Sequence, residues 1–544
     1  MPSVYPPYEL RRTRGPLDRL NDVFNVRDFG AVGDGASDDT HAIRAACEAL
    51  QSAGGGTLEF PPGTYDVFAS TTGNLGTFIG LNGVMLRGHG ATVRVNLNKT
   101  IVASEGAFFS FSGCSDVTID GFRTDGPTLD VSQTTVKGYE FVRLANGCRN
   151  VNMPRNRVKN MIAGLICSRL VSDPESYRSQ NIKIGVLEVV NTWYGVNNQY
   201  SGDFLTIDVL RSDTVHRSLF VYGCSRVRAE IWSKNCKAND VNISGFGGVP
   251  TEEISVIYHS DTESTACNSQ ARCAIRLFGN TAQTIRNVKL TLDIRYGATG
   301  DTGASAVRIE KFDNSMAYDT VDRGHVIDGL DISGFIDGTP SYNDGGVIVL
   351  YNGCTWGAAD FFYRWNFHDL TITGAAGAAF VNIGAESFAD WIALRNIKST
   401  SAVSVRSGTP SNYRAPSTGK RIVENVSCTN LNSVATYEPI GRHRPPNTTQ
   451  PINLGWQGQP ITNIAVGAAV VMNLPASVVG MKYGPFIRED ARIMDIAPNG
   501  TEIIGAGTAG QKLRLNALGN LVSLECFVAG RWEVTAVQGA VSYV

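Results

Sequence analysis

The chain has 544 residues, enough for a large core and more than one domain. It contains 58 glycines but only 21 prolines, which excludes a collagen-like or disordered chain and favours a β-rich protein with many turns. The formal net charge of −2 gives no general attraction to nucleic acid, so we expect no nucleic-acid partner.

The eleven cysteines are an odd number and lack the spacing of zinc ligands. Several follow a glycine within apolar segments, where a thiol behaves as a small hydrophobic group. We therefore predict folding in a reducing cytosol. No cofactor is predicted, and no residue is assigned as a metal ligand. The sequence has no continuous apolar run of membrane-spanning length and no apolar signal core near its N-terminus, so neither membrane insertion nor Sec export is predicted.

Residues 1–24 contain four prolines and the basic segment Arg11–Arg14. Two interpretations remain open for this leader. It is either a disordered end or a peptide that docks the protein onto a larger assembly.

A helix is predicted shortly after residue 36. Ser37 has the character of an N-cap, and Asp38 and Asp39 suit the positive end of the helix dipole. A strand and a tight turn follow, at 57–60 and 61–65.

The segment from Val26 to Asp66 resembles the opening of pectate-lyase-like right-handed β-helix proteins, especially bacteriophage tailspikes. Three motifs carry the resemblance, in order: Asp-Phe-Gly-Ala-x-Gly-Asp-Gly, Asp-Asp-Thr, and Pro-Pro-Gly-Thr-Tyr. In that family the segment caps the β-helix. The resemblance therefore implies structural roles for Asp34, Asp38 and Asp39.

Short apolar strand starts, often preceded by Asn or Asp, recur at spacings of 20 to 42 residues. They begin at Val84, Val117, Val151, Ile182, Ile207, Val227, Ile254, Val288, Leu330, Leu370, Ile397 and Val426. Such a period indicates a solenoid, and the short strands, abundant glycine and lack of amphipathic helices favour an all-β, parallel β-helix. Twelve coils stacked ~4.8 Å apart would form a rod about 50 Å long.

The repeat pattern ends after Val426, and residues 443–446 are typical of a linker. We predict a β-helix over 25–440, capped by 26–66, and a C-terminal β domain over 441–544. The C-terminal domain resembles the small β-sandwiches of tailspikes, which implies trimer formation or carbohydrate binding.

The phrase Gly-Cys-x-x-Val occurs at 113–117, 147–151 and 223–227. Because it recurs with the repeat, Cys224 is predicted to be a stacked core residue. The stretch around its third copy also has chemical potential. Residues 211–237 hold six Lys and Arg against two acids, a local charge of +4 that would favour an anionic polysaccharide if it formed one face. Solvated arginines are an equal alternative.

The segment from His216 to Gly223, followed by Ser233 to Val241, resembles a central segment of phage depolymerase β-helices, which implies polysaccharide cleavage. Elimination on a uronic acid needs a base, for which His216 and Tyr222 are candidates, and a cation such as Arg217 to stabilise the enolate-like state. Hydrolysis instead needs two carboxyl groups. The local carboxyl candidates are Asp203, Glu230 and Asp240.

Five further residues are candidates for substrate binding: Trp193, Tyr194, Arg226, Arg228 and Lys234. Structural interpretations stay open for several of these residues. His216 and Asp203 suit turns, Asp240 suits the polar position before a repeat strand, and aromatic residues in a solenoid are commonly internal.

Residues 312–345 hold seven aspartates against Arg323, a local charge of −6. Solvated loops, a carboxylate pair, a Ca²⁺ site and a site shared between chains remain open alternatives.

These patterns lead to one hypothesis: a phage or prophage tailspike that folds in the host cytoplasm and acts, as part of the virion, at the host surface. The resemblance implies a homotrimer and a phage tail or adaptor partner bound through residues 1–24. The substrate would be a capsular polysaccharide, an exopolysaccharide or the O-antigen of lipopolysaccharide. Glycoside hydrolysis ranks first because carboxylates are abundant, followed by β-elimination, and then by a non-enzymatic receptor-binding spike.

Overall fold

The structure is a computed structural model. It describes residues 22–68, 73–96, 106–127, 138–169, 173–236, 239–246, 249–262, 273–280, 284–296, 305–311, 326–337, 346–350, 361–373, 379–383, 391–399, 405–407, 420–428, 449–451, 461–463, 469–489 and 491–544. The leader up to residue 21 and the linker at 443–446 lie outside the described residues. The chain divides into two compact units, the first mostly before residue 389 and the second mostly after 433.

Strands dominate the described residues, with one α-helix, α1 (Thr40–Ala53), and short 3-10 helices at Val26–Phe29 and Glu175–Tyr177. The strands up to residue 262 are β1 (Val23–Asn25), β2 (Asp34–Asp38), β3 (Gly56–Glu59), β4 (Thr64–Phe68), β5 (Gly76–Ile79), β6 (Asn82–Arg87), β7 (Thr92–Asn96), β8 (Gly106–Ser112), β9 (Ser115–Asp120), β10 (Arg123–Asp125), β11 (Tyr139–Ala145), β12 (Arg149–Lys159), β13 (Ala163–Ser168), β14 (Gln180–Val190), β15 (Tyr194–Gln199), β16 (Asp203–Asp213), β17 (Arg217–Tyr222), β18 (Ser225–Lys234), β19 (Val241–Phe246) and β20 (Thr251–Thr262).

The later strands are β21 (Cys273–Asn280), β22 (Thr284–Tyr296), β23 (Ser305–Lys311), β24 (Val326–Asp337), β25 (Gly346–Leu350), β26 (Phe361–Tyr363), β27 (Trp365–Thr373), β28 (Ala379–Ile383), β29 (Trp391–Ser399), β30 (Val405–Ser407), β31 (Lys420–Cys428), β32 (Thr449–Pro451), β33 (Ile461–Thr462), β34 (Val470–Asn473), β35 (Lys482–Ile487), β36 (Met494–Ala497), β37 (Ile503–Ile504), β38 (Leu513–Leu515), β39 (Leu521–Val528), β40 (Arg531–Gln538) and β41 (Val541–Tyr543).

The first unit is a right-handed parallel β-helix. Successive coils contribute a long strand to one parallel sheet, which contains β12, β14, β16, β18, β20, β22 and β24, and a short strand to a second sheet. We call these the long-strand sheet and the short-strand sheet; the latter contains β11, β13, β15, β17 and β19. All twelve strand starts predicted from the sequence fall on strands of the long-strand sheet, which confirms the predicted architecture.

The core of the β-helix is a set of aliphatic ladders, in which equivalent residues of successive coils stack in register. One ladder runs through Val117, Val151, Ile182, Leu205, Val227, Ile254, Val288 and Leu330. Every member of this ladder is at most 1% exposed. Full burial of such a side chain contributes about 1.5–3 kcal/mol, so the ladder residue of each added coil contributes a stabilising free energy of this size.

A left-handed backbone turn precedes this ladder in several coils. Asp116, Asn150 and Asn181 have φ values of 54°, 55° and 56°. Asn150 Nδ2 donates to Asp116 Oδ1 at 2.9 Å, and Asn181 Nδ2 donates to Asn150 Oδ1 at 2.7 Å. Asn and Asp tolerate this conformation better than other residues with a β-carbon, which explains why they precede the repeat strands in the sequence.

The capping helix begins two residues later than predicted, at Thr40. Asp39 occupies the N-cap position, and Asp38 Oδ1 accepts from the Thr40 backbone N–H at 2.9 Å. Ser37 lies in β2 instead, where its N–H donates to Asp34 Oδ1 at 2.8 Å, so its prediction as the N-cap was wrong. The structural role predicted for the three aspartates is consistent with these backbone contacts.

The cysteines of the Gly-Cys-x-x-Val phrases are free and buried, as expected for stacked core residues. Burial raises the pKa of the Cys148 thiol to about 11 and that of Cys224 to about 12. Both thiols therefore stay protonated at neutral pH.

The second unit contains two five-stranded sheets, β32-β34-β36-β38-β41 and β33-β35-β39-β40-β37. Residues of both sheets form one buried cluster, which includes Met494, Leu513, Phe486 and Trp532. A small sandwich-like β domain was predicted for this region.

We expect Asn150→Ala to lower the thermal unfolding midpoint. Alanine must hold the left-handed turn at a cost of about 1–2 kcal/mol, and the two amide ladder contacts are lost. Asn150→Gly is the matched control, because it loses the same contacts without backbone strain. Equal midpoints for the two variants would contradict the role of backbone conformation at this turn.

Candidate functional site

The outward face of the short-strand sheet carries a row of large side chains on β15 and β17. Tyr194 and Arg217 are register partners, with the Tyr194 hydroxyl 3.5 Å from Arg217 Nη1. The Phe220 ring centroid lies 6.0 Å from that of Tyr194 and 5.6 Å from that of Tyr222. We call Tyr194, Arg217, Phe220 and Tyr222 the outward row.

Two buried amides flank the centre of the outward row. Asn197 and Asn242 are the register partners of Phe220 on either side and are 6% and 2% exposed. Among the described residues, neither Oδ1 atom has a hydrogen-bond partner. An unsatisfied buried acceptor costs about 1–3 kcal/mol, so such atoms are expected where water or a ligand hydroxyl supplies the missing donor.

The N-terminal end of β17 brings together three chemically capable side chains. His216 is stacked on Trp193, with ring centroids 3.7 Å apart and an interplanar angle of 6°. Arg217 follows directly, beside the Tyr194 hydroxyl. The buried Nε of Arg217 has no hydrogen-bond partner within the described part of the chain, so this donor is left unsatisfied.

The C-terminal end of β17 carries a protonated tyrosine. The Tyr222 ring centroid is 4.8 Å from that of Tyr200, and burial raises the pKa of Tyr222 to about 12. Tyr222 is therefore a proton donor at neutral pH and is poorly suited as a base. Because six strand residues span about 16 Å from Arg217 to Tyr222, these two side chains cannot act on one sugar carbon. The sequence had suggested that they form one cluster with His216.

Asp203 is held by an arginine from the preceding coil. Its carboxylate accepts from Arg178 Nε at 2.7 Å and from Arg178 Nη2 at 2.6 Å, and it also accepts from the Ser225 backbone N–H at 2.9 Å. Arg178 additionally donates to the Gly223 carbonyl at 3.0 Å. These contacts tie the turns of successive coils together.

Asp240 lies in the interior at 1% exposure. Its carboxylate accepts from the Ser218 backbone N–H at 2.9 Å and from the Tyr258 hydroxyl at 2.6 Å. Burial raises the pKa of Tyr258 well above its usual value, so this phenol remains a donor to Asp240. In this arrangement Asp240 fixes the start of β17 from inside.

The remaining predicted residues lie on the long-strand sheet. Arg226, Arg228, Glu230 and Lys234 alternate outward along β18, whereas Arg217 belongs to the short-strand sheet. The described cations of the +4 segment are thus divided between two sheets, and Lys237 lies outside the described residues. Arg226 is also paired with Glu253, since its Nε lies 3.0 Å from Glu253 Oε2.

Sequence reasoning missed an exposed aromatic stack on the long-strand sheet. Trp232 is 48% exposed, and its ring centroid lies 4.0 Å from that of His259 on the next coil. Trp232 Nε1 donates to Glu230 Oε1 at 2.8 Å, and His259 Nδ1 lies 3.3 Å from Asp293 Oδ2. The strand register brings Trp232 and His259 together, although 27 positions separate them in the sequence.

The acidic segment is described only in part. Asp328 lies 2.6 Å from Arg364 Nε, and Asp331 lies 2.9 Å from His368 Nε2. Asp313, Asp319, Asp322 and Asp344 lie outside the described residues. Within the described ranges, no group of three or more His, Cys, Asp or Glu residues is arranged to hold a metal ion.

Residues 23–108 match the family described as rhamnogalacturonase A/epimerase, pectate lyase-like. The match covers 86 of the 544 residues of the chain. Over the described part of the chain, no helix is long and apolar enough to cross a membrane.

The chain is also similar to two enzymes of Azotobacter vinelandii. It is 35% identical to mannuronan C5-epimerase AlgE1 over 151 residues, which are 26% of this chain and 10% of the epimerase. It is 39% identical to alginate lyase 7 over 163 residues, which are 28% of this chain and 18% of the lyase. The matches thus span less than a fifth of either relative.

Among solved structures, pre-mature bacteriophage phi29 gene product 12 aligns with 83% of this chain and 62% of its own, at 14% identity and a TM-score of 0.45.

We expect Tyr222→Phe to flatten the loss of stability at high pH. The native pKa near 12 exceeds the ordinary value of 10, so the native state keeps a proton that the unfolded chain releases. The contribution of Tyr222 is therefore complete below pH 10 and is lost as the pH rises toward 12. Unfolding midpoints measured across this range test the prediction.

Tyr177→Phe is the matched control, since Tyr177 is 39% exposed. It should leave the slope of unfolding midpoint against pH unchanged. The same slope in wild type and Tyr222→Phe would contradict the proposed proton retention.

Proposed function

We propose that this chain is a phage tailspike that binds and cleaves an acidic bacterial surface polysaccharide along the outward row of its short-strand sheet. The observation that carries the proposal is the combination of three aromatic rings, an arginine with an unsatisfied buried Nε, and two flanking unsatisfied amides. Aromatic rings offer apolar surfaces to sugar rings, while a few convergent polar groups fix their orientation.

The length of the outward row suits a polymer better than a small molecule. Its side chains extend along the whole of β17, about 16 Å. An extended chain of sugars running along β17 would contact Tyr194, Phe220 and Tyr222 in succession.

Elimination is better supported than hydrolysis at this face. Hydrolysis requires two carboxyl groups on either side of one glycosidic bond. Asp203 is held by Arg178, Asp240 is buried against Tyr258, and Glu230 lies on the other sheet. These three carboxylates do not converge on the outward row, so β-elimination moves ahead of glycoside hydrolysis in our proposal.

The N-terminal end of β17 has the groups that elimination on a uronate needs. Arg217 would pair with the uronate carboxylate and stabilise the enolate-like charge, His216 would take the proton α to that carboxylate, and the Tyr194 hydroxyl would donate to the leaving oxygen. In this elimination the C–H bond breaks, a C=C bond forms, and the glycosidic C–O bond is cleaved. The named activities of the two Azotobacter relatives, C5 epimerisation and alginate cleavage, both act on polyuronates.

The biological setting rests on the tailspike resemblance of residues 26–66. We propose that residues 1–24 dock onto a phage tail or adaptor protein and that the spike is a homotrimer. It would fold in the host cytoplasm and act at the cell surface as part of the virion. Host capsule, exopolysaccharide and O-antigen are the substrate classes.

The decisive experiment incubates the protein with purified uronate-containing and uronate-free bacterial polysaccharides. Chain length and the ultraviolet absorbance of the unsaturated uronate product are followed together. Shortening with new absorbance supports elimination, and shortening without it supports hydrolysis. Binding without shortening would make the chain a receptor-binding spike, and neither binding nor shortening would overturn the proposal.

Arg217→Ala should lower kcat/KM for polysaccharide cleavage by about 100-fold or more, because a positioned charge that stabilises the transition state is removed. Arg217→Lys should recover only part of the activity, since an ammonium lacks the planar fork of a guanidinium. Lys183→Ala removes a cation with a 60% exposed side chain on the long-strand sheet, and serves as the control. Wild-type activity in Arg217→Ala would remove this residue from the mechanism.

A further inference from the structure

In most coils, the left-handed turn before the long strand is occupied by Asn, Asp or Gly. Asp116, Asn150 and Asn181 occupy it in three successive coils, and Asn287 and Gly329 occupy it farther along, with φ values of 52° and 78°. Asn, Asp and Gly are the residues that adopt this conformation with the least strain. Most coils therefore avoid backbone strain at this position.

Three consecutive coils, between those of Asn181 and Asn287, have other residues at this turn. Phe204, Arg226 and Glu253 hold the equivalent turns, with φ values of 57°, 57° and 58°. A left-handed conformation costs such residues roughly 1–2 kcal/mol each. Strain of this kind, in coils whose neighbours avoid it, is typical of functional positions.

The three side chains contact one another across the coils. The Arg226 guanidinium carbon lies 4.6 Å from the Phe204 ring centroid, and Arg226 Nε lies 3.0 Å from Glu253 Oε2. Phe204 is 48% exposed, and the side chains of Arg226 and Glu253 are each 50% exposed. We call these three residues the corner stack.

The ion pair leaves part of the guanidinium available. Glu253 contacts Nε, and the Arg226 side chain is still half-exposed beside it. Arg228, two positions along the same outward face, adds a second exposed arginine. The corner stack thus combines a half-exposed ring with an oriented fork of donors.

The corner stack continues from one end of the proposed glycan site. Arg226 follows Tyr222 by four residues, which limits their Cα separation to about 14 Å. Phe204 directly follows Asp203, whose bidentate contact with Arg178 fixes this turn. A polymer leaving the outward row at Tyr222 can therefore reach the corner stack.

We propose that the corner stack is a subsite for a carboxylate-bearing sugar unit of the polysaccharide, beyond the Tyr222 end of the outward row. The sugar ring would pack against the exposed part of Phe204, while the terminal guanidinium nitrogens of Arg226 donate to the carboxylate. Glu253 acts as a positioning residue that holds the guanidinium over the ring. This inference rests on the proposed function and adds the residues that select an acidic unit.

The test replaces the strained residues by the residue that the neighbouring coils use. Phe204→Asn and Arg226→Asn should keep or raise the thermal unfolding midpoint, because the turn is relaxed. Both variants should also weaken binding of mannuronan and of uronate-containing capsular polysaccharide by about three- to tenfold, the effect expected for a stacking or cation–π contact. A purely structural corner stack would show no loss of affinity.

Two further variants sharpen the comparison. Arg226→Lys keeps the charge but loses the planar fork, so it should weaken binding nearly as much as Arg226→Asn; it also decides the matter if Phe204→Asn fails to fold. Asp116→Asn changes the equivalent turn in another coil and should leave binding unchanged. Dextran, a neutral polymer, controls for charge-independent binding.

The outcomes separate the two proposals. Wild-type binding of uronate polymers with unchanged affinity in Phe204→Asn, Arg226→Asn and Arg226→Lys would overturn the corner-stack inference alone. A wild-type protein that binds no uronate-containing polymer would overturn the inference together with the acidic substrate of the proposed function.

Discussion

In-register stacking of inward aliphatic side chains is the constraint on which the first unit depends. Each member of the ladder from Val117 to Leu330 covers its equivalent in the next coil and is fully removed from water. Because strand side chains alternate between two faces, a register that buries these residues also decides which residues point outward. The packing that stabilises the coils therefore also determines which side chains are exposed on each face.

That coupling determines which candidate residues can act together. Register places Tyr194 beside Arg217, and it places Asn197 and Asn242 on either side of Phe220. The same geometry directs Asp203 toward Arg178 and encloses Asp240 beneath Tyr258. A carboxylate that accepts several hydrogen bonds from its own protein is a good structural clamp and a poor partner for a glycosidic bond. This distribution of carboxylates is the reason why our proposal ranks elimination above hydrolysis.

The fold could be predicted because the repeat has a local signature. An Asn or Asp that tolerates the left-handed turn is followed by alternating apolar residues, as at Asn150 and Asn181. This pattern can be recognised in a short stretch of sequence. The contacts of the candidate site could not be predicted in the same way, since they join residues that are distant in the sequence. Arg178 meets Asp203 across 25 positions, and Tyr258 meets Asp240 across 18. Sequence proximity was also misleading, because His216 and Tyr222 stand at opposite ends of a strand.

The turn before each long strand shows how a repeat can vary its surface side chains without losing its core. At Asp116, Asn150 and Asn181 the side chains serve the backbone and one another. At Phe204, Arg226 and Glu253 the backbone has the same left-handed conformation, but the side chains are half-exposed to solvent. The inward neighbours Leu205, Val227 and Ile254 remain in the aliphatic ladder throughout. Since the ladder supplies the stability of each coil, strain at a turn is borne locally, and a solenoid can vary its surface coil by coil.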